Sequence, residues 1–242
     1  MKGIIRRFMK PGPTWQFRIA TFFGEIITIV VGIVLGLAVE NYKEDLDRKD
    51  RAIELLVGLH KDLLRDLDEL KTDSASLHQK AEAYRNFYLM GSGKLNDPTF
   101  LASNSWTLYS TTVLIPNTAC YEVLKAHGEL DIWKNNELLT DIFTLYQEDV
   151  PNLLMAANSC NELVTQELSP YLRKRMVVDT SGGITNLNKC ISTDYCRLLM
   201  MNLADCTDLA EARYGITIKS YQALIKGIEQ EVGKKELERL NR

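Results

Sequence analysis

This chain carries none of the short catalytic signatures. It has no G-x-x-x-x-G-K-[ST] phosphate loop, no G-x-G-x-x-G, no H-E-x-x-H and no G-x-S-x-G. The commonest nucleotide, zinc-protease and serine-hydrolase chemistries therefore have no local motif to build on. Histidine is scarce, three in 242 residues. The five cysteines, Cys120, Cys160, Cys190, Cys196 and Cys206, include no C-x-x-C pair, which argues against a zinc centre, and no metal or cofactor is expected. The acids Asp62, Asp66, Asp68, Glu69 and Asp73 are not spaced as a calcium loop and read as a solvated helix face. Proline is rare, and none lies between Pro13 and Pro98, so nothing breaks a helix over that stretch. There is no low-complexity tract to mark a disordered protein. A clustered basic face, which nucleic acid would require, is also missing. The net charge is −3, with 29 basic against 32 acidic residues.

What the chain does have is one long apolar run. Phe17 to Val39 meets the ~20 apolar residues that a helix needs to cross a bilayer core. Trp15 and Tyr42 stand near its two ends as interfacial aromatics. The run is too long for a secretory signal peptide, and no small-x-small cleavage site precedes Glu40. Lys2, Arg6, Arg7, Lys10 and Arg18 precede Glu25 without a single acid, so the rest of the chain carries a net charge of −8. By the positive-inside rule this bias places the N-terminus in the cytoplasm and the body outside it.

On a helical wheel, Arg18, Thr21, Gly24, Glu25, Thr28, Gly32 and Gly36 fall within a sector of roughly 120°. Phe22, Phe23, Ile26, Ile27, Val30, Ile33, Val34 and Leu37 make the lipophilic remainder. Gly24, Thr28, Gly32 and Gly36 form a small-xxx-small ladder, the pattern that lets two spans approach backbone to backbone. Gly24, Glu25, Thr28, Gly32 and Gly36 are thus the candidate helix-association face. An ionisable group inside a span must reach water, find a partner or serve an ion path. Three readings of Glu25 stay open: a boundary residue, an interhelical partner (Arg18 is the candidate ion-pair mate) or a proton or cation site.

The body reads as helical throughout. Ile53, Leu56, His60, Leu63, Leu67, Leu70, Ser74, Leu77, Ala81, Tyr84 and Tyr88 recur at coiled-coil spacing, with a turn allowed near Thr72–Ser76. The seam packs either within its own bundle or against a second copy. His60 lies far in sequence from His78 and His127, and reads as a core or boundary residue. Gly91-Ser92-Gly93 and Asn96-Asp97-Pro98 mark a loop, followed by a short helix over 98–110. Asn117 or Thr118 is placed to cap a helix over 119–127 with Gly128 as its stop, and Asn135 or Asn136 opens the next. Pro151 kinks or restarts that helix, which runs to about Leu172. Residues 177–188 read as an extended loop or short hairpin, 190–209 as helix, and 216–240 as an amphipathic closing helix. Arg173-Lys174-Arg175 is a short basic patch at a helix end. Cys190, Cys196 and Cys206 are close enough in sequence for a local disulfide, or else they are small buried hydrophobes.

Two segments together carry a family likeness. The first is Gly24-Glu25-Ile26 through Val31-Gly32-Ile33 to Asn41, then Leu55 to Leu70. The second is Pro116-Asn117, Glu122-Val123-Leu124, Gly128-Glu129-Leu130, Ile132 and Asn136-Glu137-Leu138. The pairing resembles a bacterial family of membrane-anchored proteins known as a domain of unknown function. In that family a Gly-Glu-Ile opens the span, and a Gly-x-Leu-x-x-Ile-x-Asn block introduces a later helix. Tyr42 stands here where Trp is usual, and His127 where Ser is usual. The resemblance implies a bacterial inner-membrane protein and transfers no activity.

The expected fold is all-α. A basic cytoplasmic tail (1–16) leads to a transmembrane helix (17–39), which continues as a stalk or coiled helix (40–90) packed with an extracytoplasmic, periplasmic bundle (91–242). The expected role is non-enzymatic: a single-span membrane protein whose partners are lipid and either a second copy or another membrane protein, acting as an oligomerising interaction or assembly module. A sensor or signal-relay subunit is the alternative, and an ion-coupled subunit using Glu25 is a further one.

Overall fold

The computed structural model describes residues 13–127, 135–177 and 185–233, with side chains from Phe22 onward. The described residues are helical with no strand, so the chain is all-α. Helix α1 runs unbroken from Pro13 to Gly91. It crosses Thr72–Ser76 without a turn, and the Thr72 hydroxyl donates to the Asp68 carbonyl (3.0 Å) instead of competing with the helix ladder. The chain divides into two compact units between Arg51 and Ala52.

In the first unit every side chain from Phe22 to Arg51 is exposed. Its apolar stretch is long and apolar enough to cross a membrane, by length and composition. Beyond it, Arg48 donates to Glu44 one turn earlier (2.5 Å) on the solvated surface.

The second unit is a bundle. After α1 come α2 (Pro98–Asn104), a single 3-10 turn (Ser105–Leu108) and α3 (Ala119–His127). Asp97 caps α2 by accepting from the Phe100 N–H (2.9 Å), with Pro98 at the first helical position. A rod follows, made of α4 (Asn136–Thr144), α5 (Val150–Glu162) and α6 (Ser169–Arg175), joined end to end by π-helical stretches at Leu145–Asp149 and Leu163–Leu168. Asn135 caps this rod by accepting from the Leu138 N–H. Then come α7 (Leu187–Ile191) and α8 (Asp194–Val232).

The two prolines explain the two π stretches. Pro151 and Pro170 have no N–H to give, and each ring would strike the carbonyl four residues back. In both places the residue before the proline reaches one residue further. The Val150 N–H bonds the Leu145 carbonyl, and the Ser169 N–H bonds the Val164 carbonyl. The widened turn absorbs the proline, so Pro151 neither restarts nor ends the helix.

Helix α8 departs from the expected break between 209 and 216. Ala210, Tyr214, Thr217 and Tyr221 continue its buried stripe straight past Gly215, and packing on one side overrides the weak helix propensity of a glycine. The real break lies earlier, at Ser192–Thr193, where the Thr193 side chain caps α8 by accepting from the Cys196 N–H.

Two apolar clusters fill the bundle. One gathers Ala52 to Leu77 of α1, Leu138 to Cys160 of the rod and Ala210 to Ile228 of α8. The other gathers Ala83 to Met90, Val164 to Leu172 and Leu187 to Ala204. The order of the clusters along each rod makes α1 and the α4–α6 rod parallel, with α8 antiparallel to both. Parallel neighbours need a long return, and the segment from 92 to 135 supplies it. Within that return, Ser110 to Thr118 is non-helical. Thr112 and Leu114 point inward, while Val113 and Ile115 are exposed. The seam on α1 packs within this bundle: Leu56, Leu63, Leu70 and Tyr84 are all buried in its two apolar clusters.

Candidate functional site

The most unusual side chain in the bundle is Asp66, which is wholly buried. The expectation of a solvated acid face over residues 62–73 fails here. Asp66 falls between Leu63 and Leu70 on the inward stripe, so helix geometry takes it into the core. Both of its oxygens are satisfied. Oδ1 accepts from the Asn117 side-chain amide, and Oδ2 accepts from the Asn117 backbone N–H (3.0 Å) and the Tyr221 hydroxyl (3.3 Å). Burial raises its pKa above the usual aspartate range, and these hydrogen bonds offset the rise only in part. Tyr146, on the first π stretch, donates to the Asn117 carbonyl (3.2 Å) and stacks on Tyr121 at 4.4 Å. The Asp66 carboxylate thus ties α1 to the return segment and α8, and Asn117 extends the network to the rod. Asn117 is therefore committed to Asp66 rather than capping α3, and the Thr118 carbonyl accepts from the Glu122 N–H at that helix start. Neighbouring Asp73 is half-buried and accepts from Tyr214 (3.4 Å), and its pKa is likewise raised by burial.

A second polar node anchors the return segment. Lys80 is buried and donates to the Thr112 hydroxyl (2.7 Å), and desolvation lowers its pKa. The Asn161 side chain accepts from the Thr112 N–H (3.1 Å) and donates to the Thr112 carbonyl (2.7 Å). The carboxamide thus pairs with backbone as a neighbouring strand would, satisfying buried groups that no helix could reach. His60 is buried, with Nε2 at 3.4 Å from Glu229, and its Nδ1 lacks a hydrogen-bond partner among the described residues.

Both nodes are structural. A surface groove of about 430 Å³ with convergent charge lies at the end of the rod, between α6 and the start of α8. The Arg175 guanidinium lies over the Tyr171 ring at 4.2 Å, an arrangement that holds a cation flat and presents its edge. Lys174 stands beside it. Tyr195 packs on Tyr171 at 5.1 Å and donates to Glu167 (2.5 Å), a bond that raises the pKa of the phenol. Tyr171 is fixed from below by Thr193 (2.5 Å) and by the Cys190 carbonyl. Chemically the groove suits an anionic group beside a flat ring. The sequence flagged Arg173-Lys174-Arg175, of which Lys174 and Arg175 line the groove; Tyr195 and Glu167 come from elements it could not juxtapose.

The candidate association face lies wholly in the exposed unit. Nothing among the described residues stands within 4 Å of a Cβ built at Gly24, Gly32 or Gly36. Thr28 donates to the Gly24 carbonyl (2.8 Å) and presents its methyl group as a small residue. Glu25 is exposed. The Arg18 side chain, and with it the Arg18–Glu25 pair, falls outside the described residues, as does the Gly128 to Ile132 block. The described ends of the 177–188 loop are joined by Thr185 N–H to Val177 carbonyl (3.0 Å). All five cysteines are free thiols. Cys190 and Cys196 are buried in the second cluster, while Cys206 sits further along α8 in the first. No group of three or more His, Cys, Asp or Glu residues suited to a metal occurs among the described residues.

Set against protein-family models, curated proteins and solved structures, the chain matches none of them.

Proposed function

We propose that this chain is a single-span protein of the bacterial inner membrane, N-terminus in the cytoplasm and helical bundle in the periplasm, that works as an oligomerising interaction or assembly module. The observation that carries this reading is the complete exposure of Phe22 to Val39. An apolar helix so bare needs lipid on one side, and its glycine ladder offers close approach to another helix on the other. The basic N-terminal segment and the family likeness of 24–70 and 116–138 support the orientation and the compartment. Two measurements test it. A reporter fused at the C-terminus should be active only outside the cytoplasm. Single cysteines at Gly24, Thr28 or Gly32 should cross-link in membranes while those at Ile27 or Val34 do not, in a chain whose native cysteines are serine. Equal cross-linking from both faces ends the association reading.

The groove favours a second reading, a sensor or signal-relay subunit. Arg175 held on Tyr171, with Lys174 alongside, is an arrangement for receiving an anion. Ligand screening by thermal shift of the full-length chain in detergent, compared with Arg175→Ala, tests it. Anionic ligands that stabilise both proteins equally would remove the groove from the account.

A further inference from the structure

Helix α8 is buried along one side and bare along the other. Its inward stripe includes Leu203, Ala210, Tyr214 and Tyr221. On the outer side Leu198, Met201, Leu209 and Ile216 are 58, 45, 61 and 51% exposed. With Asp205 and Arg213 they fall in a sector of roughly 120°, and Leu198 to Ile216 covers about 27 Å of the helix axis. Single exposed hydrophobics are ordinary on any surface, but a continuous line of them marks a contact. Two charges stand on the same line. Asp205 lies one turn before Leu209 and Arg213 one turn after it, and both are exposed. The acids at the flank of the stripe are engaged with α1, Asp208 with Arg85 and Glu211 with His78 (3.2 Å). Asp205 and Arg213 have no ion pair among the described residues. Neither finds an opposite charge three or four residues away on α8, and they stand about 12 Å from each other along the axis.

We propose that this outer face of α8 docks on the same face of a second copy of the chain, antiparallel, with Leu209 at the two-fold axis and an Asp205–Arg213 ion pair on either side of it. The charges choose the partner and its direction. Asp205 and Arg213 lie at equal distances on opposite sides of Leu209. In an antiparallel pair centred there, Asp205 of each copy stands at the height of Arg213 of the other, which is the reciprocal contact a two-fold interface requires. A parallel pair sets Asp205 against Asp205 and Arg213 against Arg213, and like charges facing each other are rejected. In the antiparallel register Met201 of one copy comes alongside Ile216 and Thr217 of the other, so apolar surface closes on apolar surface at both ends. The stripe supplies the buried area, and the crossed ion pairs fix the register. A contact of one helix face per copy is smaller than a standard protein interface, so this dimer assembles and dissociates with concentration. It is a surface of the bundle, distinct from the glycine ladder of the span and from the groove.

The test uses the full-length chain in detergent and reads the dimer as a disulfide between copies. Leu209→Cys should cross-link to itself under mild oxidation. Gln222→Cys, equally exposed on α8 but off the stripe, should not, and the unsubstituted chain with its own five thiols is the blank. Asp205→Arg and Arg213→Asp, each added to Leu209→Cys, should lower the cross-linked yield by about tenfold, because two attractions become two repulsions. Carrying both reversals on one chain should restore it. So should mixing the two single reversals under different tags, since each then meets its complement. Both positions are solvent-exposed, and matching thermal unfolding shows that the variants keep the fold. Equal cross-linking at Leu209 and Gln222, no cross-link at Leu209, or a loss that the double reversal does not restore overturns the proposal. Association of the span is read separately at Gly24, so a failure there leaves the Leu209 series standing, and the reverse.

Discussion

Two stretches of the same helix obey opposite rules. From Phe22 to Arg51, α1 has every side chain exposed; from Ala52 to Gly91 it has a buried stripe that includes Leu56, Leu63, Leu70, Ala81 and Phe87. The first is the more apolar in sequence and the less buried in structure. Hydrophobicity alone therefore does not say what a helix packs against. A uniformly apolar helix meets a uniform solvent, whereas a striped one meets other helices. Glycine makes the same contrast. Gly36 has open space around it, while a Cβ at Gly91 would stand 2.3 Å from the Ile191 carbonyl oxygen.

The sharpest way to break the comparison is to delete the same side chain on each side. Leu63→Ala should lower the stability of the bundle by about 2–5 kcal/mol, read from chemical unfolding followed by near-ultraviolet circular dichroism in detergent. Leu35→Ala should leave that transition where it is. Equal losses would mean that the exposed stretch is part of the cooperative core after all. The glycines come next. Gly91→Ala must displace the α7 carbonyl and should cost about 1–3 kcal/mol, while Gly36→Ala should leave bundle unfolding unchanged and weaken only cross-linking between spans. Asn117→Ala should follow, at about 1–2 kcal/mol, because it strips one donor from a buried carboxylate; an unchanged midpoint would show that Asp66 does not need it.

The smallest expected effect is one of pH. Asp66 has a folded-state pKa raised above the ordinary aspartate value of 3.8, so the folded chain takes up its proton before the unfolded chain does. Its burial penalty is present in full above the folded pKa, and is relieved as pH falls through that value toward 3.8. Unsubstituted protein should therefore gain stability relative to Asp66→Asn on acidification from neutrality, with no further divergence below 3.8. Asp73 is common to both proteins and drops out of the difference. Thermal unfolding of the two at a series of pH values reads this directly, and a divergence of opposite sign would mean that Asp66 is charged and well solvated in the fold.

Much of the fold was legible in the sequence because helices announce themselves locally. The absence of proline from 14 to 97 allowed α1, and Asp97-Pro98 and Asn135 marked helix starts that the structure confirms by their capping bonds. The seam from Leu56 to Tyr84 foretold the buried stripe. The failures share one cause. Asp66 looked like one of a run of surface acids, and Asn117 was one of two candidate caps beside Thr118, until Tyr221 and Tyr146 arrived from distant parts of the chain to complete a network. Of the two readings of Pro151, a kink or a restart, the restart fails because the sequence does not show how a turn can widen.

The sequence by itself determined helix, the apolar run, its two faces and the basic end before it, because periodicity and transfer from water act residue by residue along a chain. Only the tertiary structure decided which acid is buried and where a cation lies on an aromatic ring. Those depend on which helices become neighbours, and pairing of that kind is written in the packing of whole faces rather than in any local pattern.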